Sequence, residues 1–289
     1  MRVVDRAEHL ERAPRAVALG TFDGVHRGHR RVLDALVGSA GSRPTVVTFA
    51  PHPRAVLGNR VELLTTLERR LELIADAGVA ETLVVEFTPQ LAATDPEAFA
   101  EALLGPIGTE LVVAGADFLF GRGRVGDLTL LERLGFDVEP VALLDGVSST
   151  AIRERLRAGD VATAARGLGR APELDGIVVS GDARGGTLGY PTANLDVDPA
   201  LLVPAYGIYA GAANGNRAAI SIGTNPHYGG TERRVEAFLL DFDGDLYGRR
   251  LVVELWQRLR DEQAFASEEA LIAQIASDVE ATRAAQRPV

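Results

Sequence analysis

The sequence predicts an α/β half built on a doubly wound parallel sheet, followed by an all-β sandwich or barrel that ends in a helix. Three observations carry this. Apolar runs alternate with helical stripes as far as about residue 166, the pattern of parallel strands joined by crossover helices. Beyond residue 176, short apolar runs separated by turn dipeptides take over. Between the first apolar run and the first helical stripe stands Gly20-Thr21-Phe22-Asp23-Gly24-Val25-His26-Arg27-Gly28-His29, a glycine-rich junction of strand, turn and helix.

Taken in order, residues 16–19 form the first strand, and Val32, Leu33, Leu36 and Val37 form the stripe of the first helix. Residues 44–49 read as a second strand stopped by Pro51 and Pro53, which leaves His52 and Arg54 on a loop at its end. A helix over 66–77 turns Leu67, Leu71, Ile74 and Ala75 to one side and stops at Gly78. Residues 82–87 give a third strand, Asp95 caps a helix that has Pro96 at its first position, and 110–115 give a fourth strand. Such a sheet binds ligands beyond the carboxyl ends of its strands. His26, His29, His52 and Asp117 all fall at those ends.

Val147-Ser148-Ser149-Thr150-Ala151-Ile152-Arg153 then opens another helix. Residues 167–176 have the glycine and proline content of a linker, which divides the chain into 1–168 and 169–289. Strands are expected over 177–179, 207–210, 218–222, 235–242 and 251–255, with Asn214-Gly215 and Asp243-Gly244 as hairpin turns. The last helix starts at Ser267 and should bury Leu271, Ile272, Ile275 and Val279.

Composition narrows the function classes. The 289 residues suffice for two cores, and 46% hydrophobic content is that of an ordinary globular protein. The net charge of -10 is shared, with 19 arginines against 23 acids up to residue 166 and 11 against 17 beyond. Neither half offers the basic face that nucleic acid requires. The lack of cysteine excludes disulfides, thiolate metal sites and a cysteine nucleophile. No apolar run reaches 18 residues, and the charged N-terminus is not a signal peptide. The expectation is a cytoplasmic protein with no membrane or nucleic-acid partner, either monomeric or weakly self-associating. All 30 cations are arginine, so no Walker lysine exists, and glycines at 20, 24 and 28 lack the close first pair of a dinucleotide fingerprint.

Phosphate chemistry fits the residues better. Free N–H groups at a helix mouth and two imidazoles three residues apart can all donate to phosphate oxygens. Ser148, Ser149 and Thr150, with Arg153 one turn in, form either a second phosphate cradle or a plain helix cap. In the β half, residues 181–194 (GDARGGTLGYPTAN) hold four glycines in nine residues, which permits close backbone approach to a ligand. Thr192 and Asn194 offer neutral oxygens suited to a Mg²⁺ whose other ligands are phosphate and water, unless the segment is simply a glycine-rich hairpin loop. By period two, Glu236 shares a face with Phe238, Leu240 and Phe242, where a carboxylate needs a task or a partner. It is either a general base for a hydroxyl or one member of an ion pair.

The turn GTFDGVHRGH resembles the signature of the nucleotidyltransferase superfamily. Both halves together resemble the bacterial bifunctional riboflavin kinase/FMN adenylyltransferases, also called FAD synthetases, nearly end to end. The resemblance rests on GTFDGVHRGHR, VVTFAPHPRAVL, GADFLFGRGRVGD, VSSTAIRERLRAGD, GDARGGTLGYPTANL, SIGTNP, VEAFLLDFDGDLYG and LRDEQAF. It implies a nucleotidyltransferase domain followed by a six-stranded kinase barrel. It implies that riboflavin and ATP give FMN, and that FMN and a second ATP give FAD and pyrophosphate. On this resemblance, Gly20, Phe22, Asp23, His26, His29, Ser148, Ser149, Thr150 and Arg153 contact ATP in the first half, with both histidines catalytic. His52, Arg54 and Asp117 are its flavin or phosphate candidates. Gly181, Gly189, Thr192 and Asn194 serve Mg-ATP in the second half, Thr192 and Asn194 hold the Mg²⁺, and Glu236 is the kinase base. The chain departs from the family at His227, where a threonine is usual, at Ser180, where a histidine is common, and in a short hairpin over 211–217. Rival readings are an enzyme with one live half, or a flavin-binding regulatory protein that would have no need of Glu236 and both histidines.

Overall fold

The computed structural model describes residues 1–39, 41–181, 190–224 and 233–289. They fall into two compact units, Met1–Glu62 with Leu67–Val147, and Leu63–Thr66 with Ser148–Val289.

The first unit holds a six-stranded sheet whose neighbouring strands all run parallel, in the order β1-β4-β3-β2-β5-β6. The strands are β1 (Arg2–Val4), β2 (Arg15–Leu19), β3 (Arg43–Ala50), β4 (Glu81–Glu86), β5 (Thr109–Gly115) and β6 (Asp137–Val141). Helices α1 (Arg27–Gly38), α2 (Pro53–Val56), α3 (Leu67–Ala75), α4 (Pro89–Ala92), α5 (Pro96–Leu103) and α6 (Leu128–Arg133) fill the crossovers. Alternation along β2 explains the two covered faces. Val17 and Leu19 pack with Phe99, Leu104 and Leu131 on one side, while Ala16 and Ala18 pack with Leu33, Leu36 and Ile74 on the other. The doubly wound sheet expected from the sequence is therefore present. From β2 the chain steps outward through β3 to β4, then returns to β5 on the far side of β2. The turn after β2 and the loop after β5 thus flank the point where strand order reverses, the usual ligand crevice of such sheets.

Two strands of this sheet escaped the sequence reading, as did β8 (Ala193–Val197) of the second unit. The first two lie at sheet edges, where β1 is three residues long and β6 carries Asp137, Glu139 and Pro140 with no buried residue, so neither has an apolar run to detect.

The second unit contains α7 (Ser149–Arg157), α8 (Val161–Leu168) and a closed barrel in the order β10-β11-β8-β7-β12-β9. Its strands are β7 (Glu173–Val179), β8 (Ala193–Val197), β9 (Gly207–Ala213), β10 (Asn216–Thr224), β11 (Arg233–Leu239) and β12 (Arg250–Arg260). One core runs through helices and barrel alike: Ile152, Leu156, Val161 and Leu168 pack with Leu174, Tyr209, Val235 and Val253. The stretch expected to be a linker is partly regular structure, since α8 runs to Leu168, Gly169 ends it in the left-handed conformation, and β7 starts at Glu173.

Asn214-Gly215 makes the expected two-residue hairpin, with φ of 44° and 85° joining β9 to β10. Asp243-Gly244 does not make one. Its flanking strands β11 and β12 are not neighbours in the barrel, so the chain must cross between them, and β11 already ends at Leu239 rather than at Phe242. Helix α9 (Glu268–Ala284) is capped by Ser267, whose hydroxyl accepts from the Ala270 N–H. It buries Asp278, Val279 and Thr282, whereas Leu271, Ile272 and Ile275 are only half-buried, because the helix docks through its C-terminal part. There Arg217 on β10 donates to the carbonyls of Thr282 and Ala285, at 2.9 and 2.8 Å, with its guanidinium over the Trp256 ring.

Candidate active sites

The turn after β2 is held in an uncommon backbone path. Phe22, Gly24 and Val25 have φ of 49°, 81° and 38°. Left-handed geometry is expensive for a bulky and a β-branched residue, on the order of 1–3 kcal/mol each, and persists where the surroundings enforce it. The surroundings do so here, since Phe22, Asp23, Val25 and His26 are all buried.

The path delivers His26 as the N-cap of α1, its Nδ1 accepting from the His29 N–H at 3.2 Å. The two imidazoles stack with centroids 3.6 Å apart and planes 13° from parallel, and Phe22 meets His29 edge-on at 5.2 Å. Gly28 makes room for this, because a Cβ there would press on the His26 ring at 3.1 Å. Burial, followed by the charges of His26 and Arg70, holds the His29 imidazole well below its ordinary range. His29 is therefore neutral at pH 7, and its Nδ1 is buried with no hydrogen-bond partner among the described residues.

Beneath the turn lies Arg70 of α3, which the sequence reading did not single out. It is 2% exposed, and its Nη1 donates to the Thr21 carbonyl at 2.7 Å, the Phe49 carbonyl at 3.3 Å and Thr48 Oγ1 at 3.5 Å. The available signal was its place on the α3 stripe, three residues after Leu67 and four before Ile74.

His52 and Asp117 sit after β3 and β5, the two neighbours of β2, so the first unit gathers them at one edge of its sheet. His52 caps α2, its Nδ1 accepting from the Arg54 N–H at 3.1 Å, while Arg54 and Asp117 are exposed. Residues 148–153 belong to the second unit. Ser148 caps α7, its hydroxyl accepting from the Ala151 N–H at 3.1 Å, and Arg153 is buried one turn further on.

In the barrel, Glu236 of β11 lies between Ser221 of β10 and Asn194 of β8. The Thr192 hydroxyl donates to its Oε2 at 3.4 Å, so Thr192, Asn194 and Glu236 are brought together. Gly181 belongs to the same group, for a Cβ there would overlap the Asn194 amide. A cleft of about 420 Å³ adjoins it, with Ser180, Gly181, Asn194, Asp196, Arg233 and Arg234 in its wall. The face of β11 is corrected by the structure. Val235, Ala237 and Leu239 point into the barrel core, whereas Arg234, Glu236 and Phe238 form the half-buried outer face, with Tyr190 edge-on to Phe238 at 5.3 Å. Glu236 is thus half-buried on the outer face and is not sunk in the core. Gly189 and His227 lie outside the described residues.

A nucleotide-binding α/β unit with a histidine pair at its switch point, joined in one chain to a barrel presenting a carboxylate beside neutral oxygens, defines a two-site phosphate-group transferase. Comparison with known proteins gives the family. Residues 8–151 match the FAD synthetase family model, and residues 168–286 match that of riboflavin kinase. The chain is 37% identical over 288 residues to the bifunctional riboflavin kinase/FMN adenylyltransferase of Listeria monocytogenes, covering 93% of this chain and 92% of that one. It is 35% identical to the Escherichia coli protein of the same name, covering 96% of each. The chain belongs to the bifunctional riboflavin kinase/FMN adenylyltransferase family. A crystal structure named as a macrolide-efflux protein from Streptococcus pneumoniae superposes with a TM-score of 0.87 at 28% identity, over 97% of this chain and 98% of that one. Among the described residues no helix is long and apolar enough to cross a membrane.

Proposed function

We infer that this chain makes FMN from riboflavin and ATP in its C-terminal half, and FAD with pyrophosphate from FMN and a second ATP in its N-terminal half. The observation that carries this is that each half matches its own enzyme family while holding a matching group of polar residues. In support of a functional division at 168/169, the riboflavin kinase match starts at residue 168 and the FAD synthetase match ends at residue 151. ATP use fits the cytoplasm, where we place the protein.

In the first half, an oxygen of the FMN phosphate forms a bond to the α-phosphorus of ATP as the bond to pyrophosphate breaks. No covalent enzyme intermediate is needed. His26 and His29 serve as fixed donors to the phosphate oxygens, joined by the free N–H groups at the α1 mouth. Gly20, Phe22 and Asp23 hold the turn that aims them. On the family resemblance, Ser148, Ser149, Thr150 and Arg153 are proposed as ATP contacts, and His52, Arg54 and Asp117 as contacts of the flavin substrate.

In the second half, Glu236 takes the proton from the terminal ribityl hydroxyl as that oxygen forms a bond to the γ-phosphorus and the bond from the γ-phosphorus to the bridging oxygen of ADP breaks, with ADP leaving. The Thr192 hydroxyl, donating to Glu236, orients the carboxylate. Neutral hard oxygens on Thr192 and Asn194 suit Mg²⁺ brought in with ATP, and among the described residues no His, Asp and Glu cluster could hold a metal unaided. When bound, the ion neutralises triphosphate charge. Incubating the protein with riboflavin, Mg²⁺ and ATP and separating the flavins tests the whole reading. FAD is expected, whereas FMN alone would leave only the kinase, and unchanged riboflavin would leave only binding.

A further inference from the structure

Arg70 is the least expected charge in the first unit. Its guanidinium is buried beneath the nucleotide turn, between two strands whose pairing has just run out. The β2–β3 ladder ends at Leu19 opposite Val47, and a last bond from the Gly20 N–H to the Val47 carbonyl closes it. Past that point β2 departs into the turn while β3 continues to Ala50. Past the end of the ladder the Thr21 and Phe49 carbonyls face no N–H of the opposite strand, and one nitrogen of Arg70 donates to both. Thr48 Oγ1, itself donating to the Thr21 carbonyl at 3.2 Å, completes the knot.

We propose that Arg70 is a positioning residue for adenylyl transfer, its guanidinium pinning Thr21 to Phe49 and so fixing the turn that carries His26 and His29 to the nucleotide. Thr21 is the residue immediately before the left-handed Phe22, so pinning its carbonyl sets the direction in which the turn leaves the sheet. A plain structural plug would not require a cation, since burying a guanidinium is costly and two carbonyls can be satisfied by neutral donors. Its charge has a second use. The ionisable groups facing His29 are His26 from the N-cap and Arg70 from α3, and Asp23 in the turn attracts Arg70. The Arg70 charge thus helps keep His29 a neutral donor. The Arg70 Nε is buried without a partner among the described residues, so its donors are not used up by the fold.

The proposal rests on assigning the two histidines to the nucleotide, so His29→Ala is assayed beside Arg70→Lys and Arg70→Met in the full chain. FAD formation from FMN is measured as kcat and KM for ATP, with FMN formation from riboflavin as control. Thermal melts correct each rate for the folded fraction, and NMR follows the His29 ring through its titration. Arg70→Lys keeps the charge, but its side chain is one atom shorter and cannot carry a nitrogen to the Nη1 position that reaches Thr21, Phe49 and Thr48, so kcat for FAD formation should fall about tenfold with His29 still titrating low. Arg70→Met should lose about 100-fold in kcat, the scale set by roughly 1 Å of misplacement, and His29 should titrate closer to its ordinary range. FMN formation should hold in both. If folded Arg70→Lys makes FAD within twofold of the wild-type rate, the proposal is overturned, whether or not Arg70→Met folds. It is equally overturned if Arg70→Met leaves the rate per folded molecule and the His29 titration unchanged. A wild-type rate in His29→Ala would instead remove the histidine assignment, a result read separately from either arginine variant.

Discussion

Arg260 of β12 grips Asp278 of α9 with two nitrogens, Nε at 3.0 and 3.1 Å from the carboxylate oxygens and Nη2 at 2.7 Å from Oδ2. Asp278 is buried and also accepts from Gln274, so the pair fastens the last helix to the barrel wall. Removing one partner of a buried pair strands the other, at a cost of about 3–5 kcal/mol. Asp278→Ala should therefore lower the unfolding free energy of the second unit by an amount in that range, read by chemical unfolding. A loss below about 1 kcal/mol would show the helix to be held by its apolar contacts alone.

Glu236→Gln should abolish FMN formation and spare FAD formation from supplied FMN. Glutamine keeps an oxygen to accept from Thr192 but cannot take a proton from a hydroxyl, a loss of about 10²–10⁴ in turnover. Because the side chain lies on the half-buried outer face of β11, stability should change by no more than about 0.5 kcal/mol. Near wild-type FMN formation would mean that another group serves as base.

The core shared by α7, α8 and the barrel changes where the chain can be cut. A fragment starting at residue 170 loses Ile152, Leu156, Val161, Ala164 and Leu168 from that core. Each large buried apolar side chain among them is worth about 1.5–3 kcal/mol, and together they rival the whole stability of a small domain. Residues 148–289 should be soluble and phosphorylate riboflavin, although lacking Leu64, while 170–289 should aggregate or melt far lower. Equal melting points for the two fragments would show that the helices are dispensable.

Neutral burial of His29 ties the first unit's stability to pH. The folded protein holds the ring below its ordinary range, by burial first and then by the charges of His26 and Arg70. An unfolded chain titrates near pH 6.5, so on acidification it takes up a proton that the folded state refuses. Stability from this group is complete above about pH 6.5 and falls as the pH drops towards the folded value, by up to about 1.4 kcal/mol per pH unit. Urea unfolding from about pH 7.5 to about pH 5 should show a shallower acid loss for His29→Gln than for wild type. Parallel curves would contradict a neutral buried His29.

What could be read from the sequence was what is local along it. The turn at 20–29, the capping of α5 by Asp95 and of α9 by Ser267, and the Asn214-Gly215 hairpin each announce themselves within a few residues. Features that depend on a distant partner were hidden. Period two placed Glu236 with Phe238 correctly, but only the barrel decides that the small Ala237, not Phe238, faces the core. Arg70 was not singled out because its acceptors come from two strands far from it in sequence, and its place on the α3 stripe said only that it faces inward. Asp243-Gly244 has good hairpin chemistry, yet strand order denies it a hairpin.

The register of β11 has a consequence for quality control. Glu236 is set opposite Ser221 on one side and Asn194 on the other, with Val235 and Ala237 turned inward on either side of it. A slip of one residue would send Arg234, Glu236 and Phe238 into the core and turn Val235, Ala237 and Leu239 out to water. Such a barrel could not close, so a molecule carrying Glu236 on the wrong side would not survive as a folded species. The barrel in this way proofreads the strand that carries the proposed base, and every folded molecule presents Glu236 on the same face.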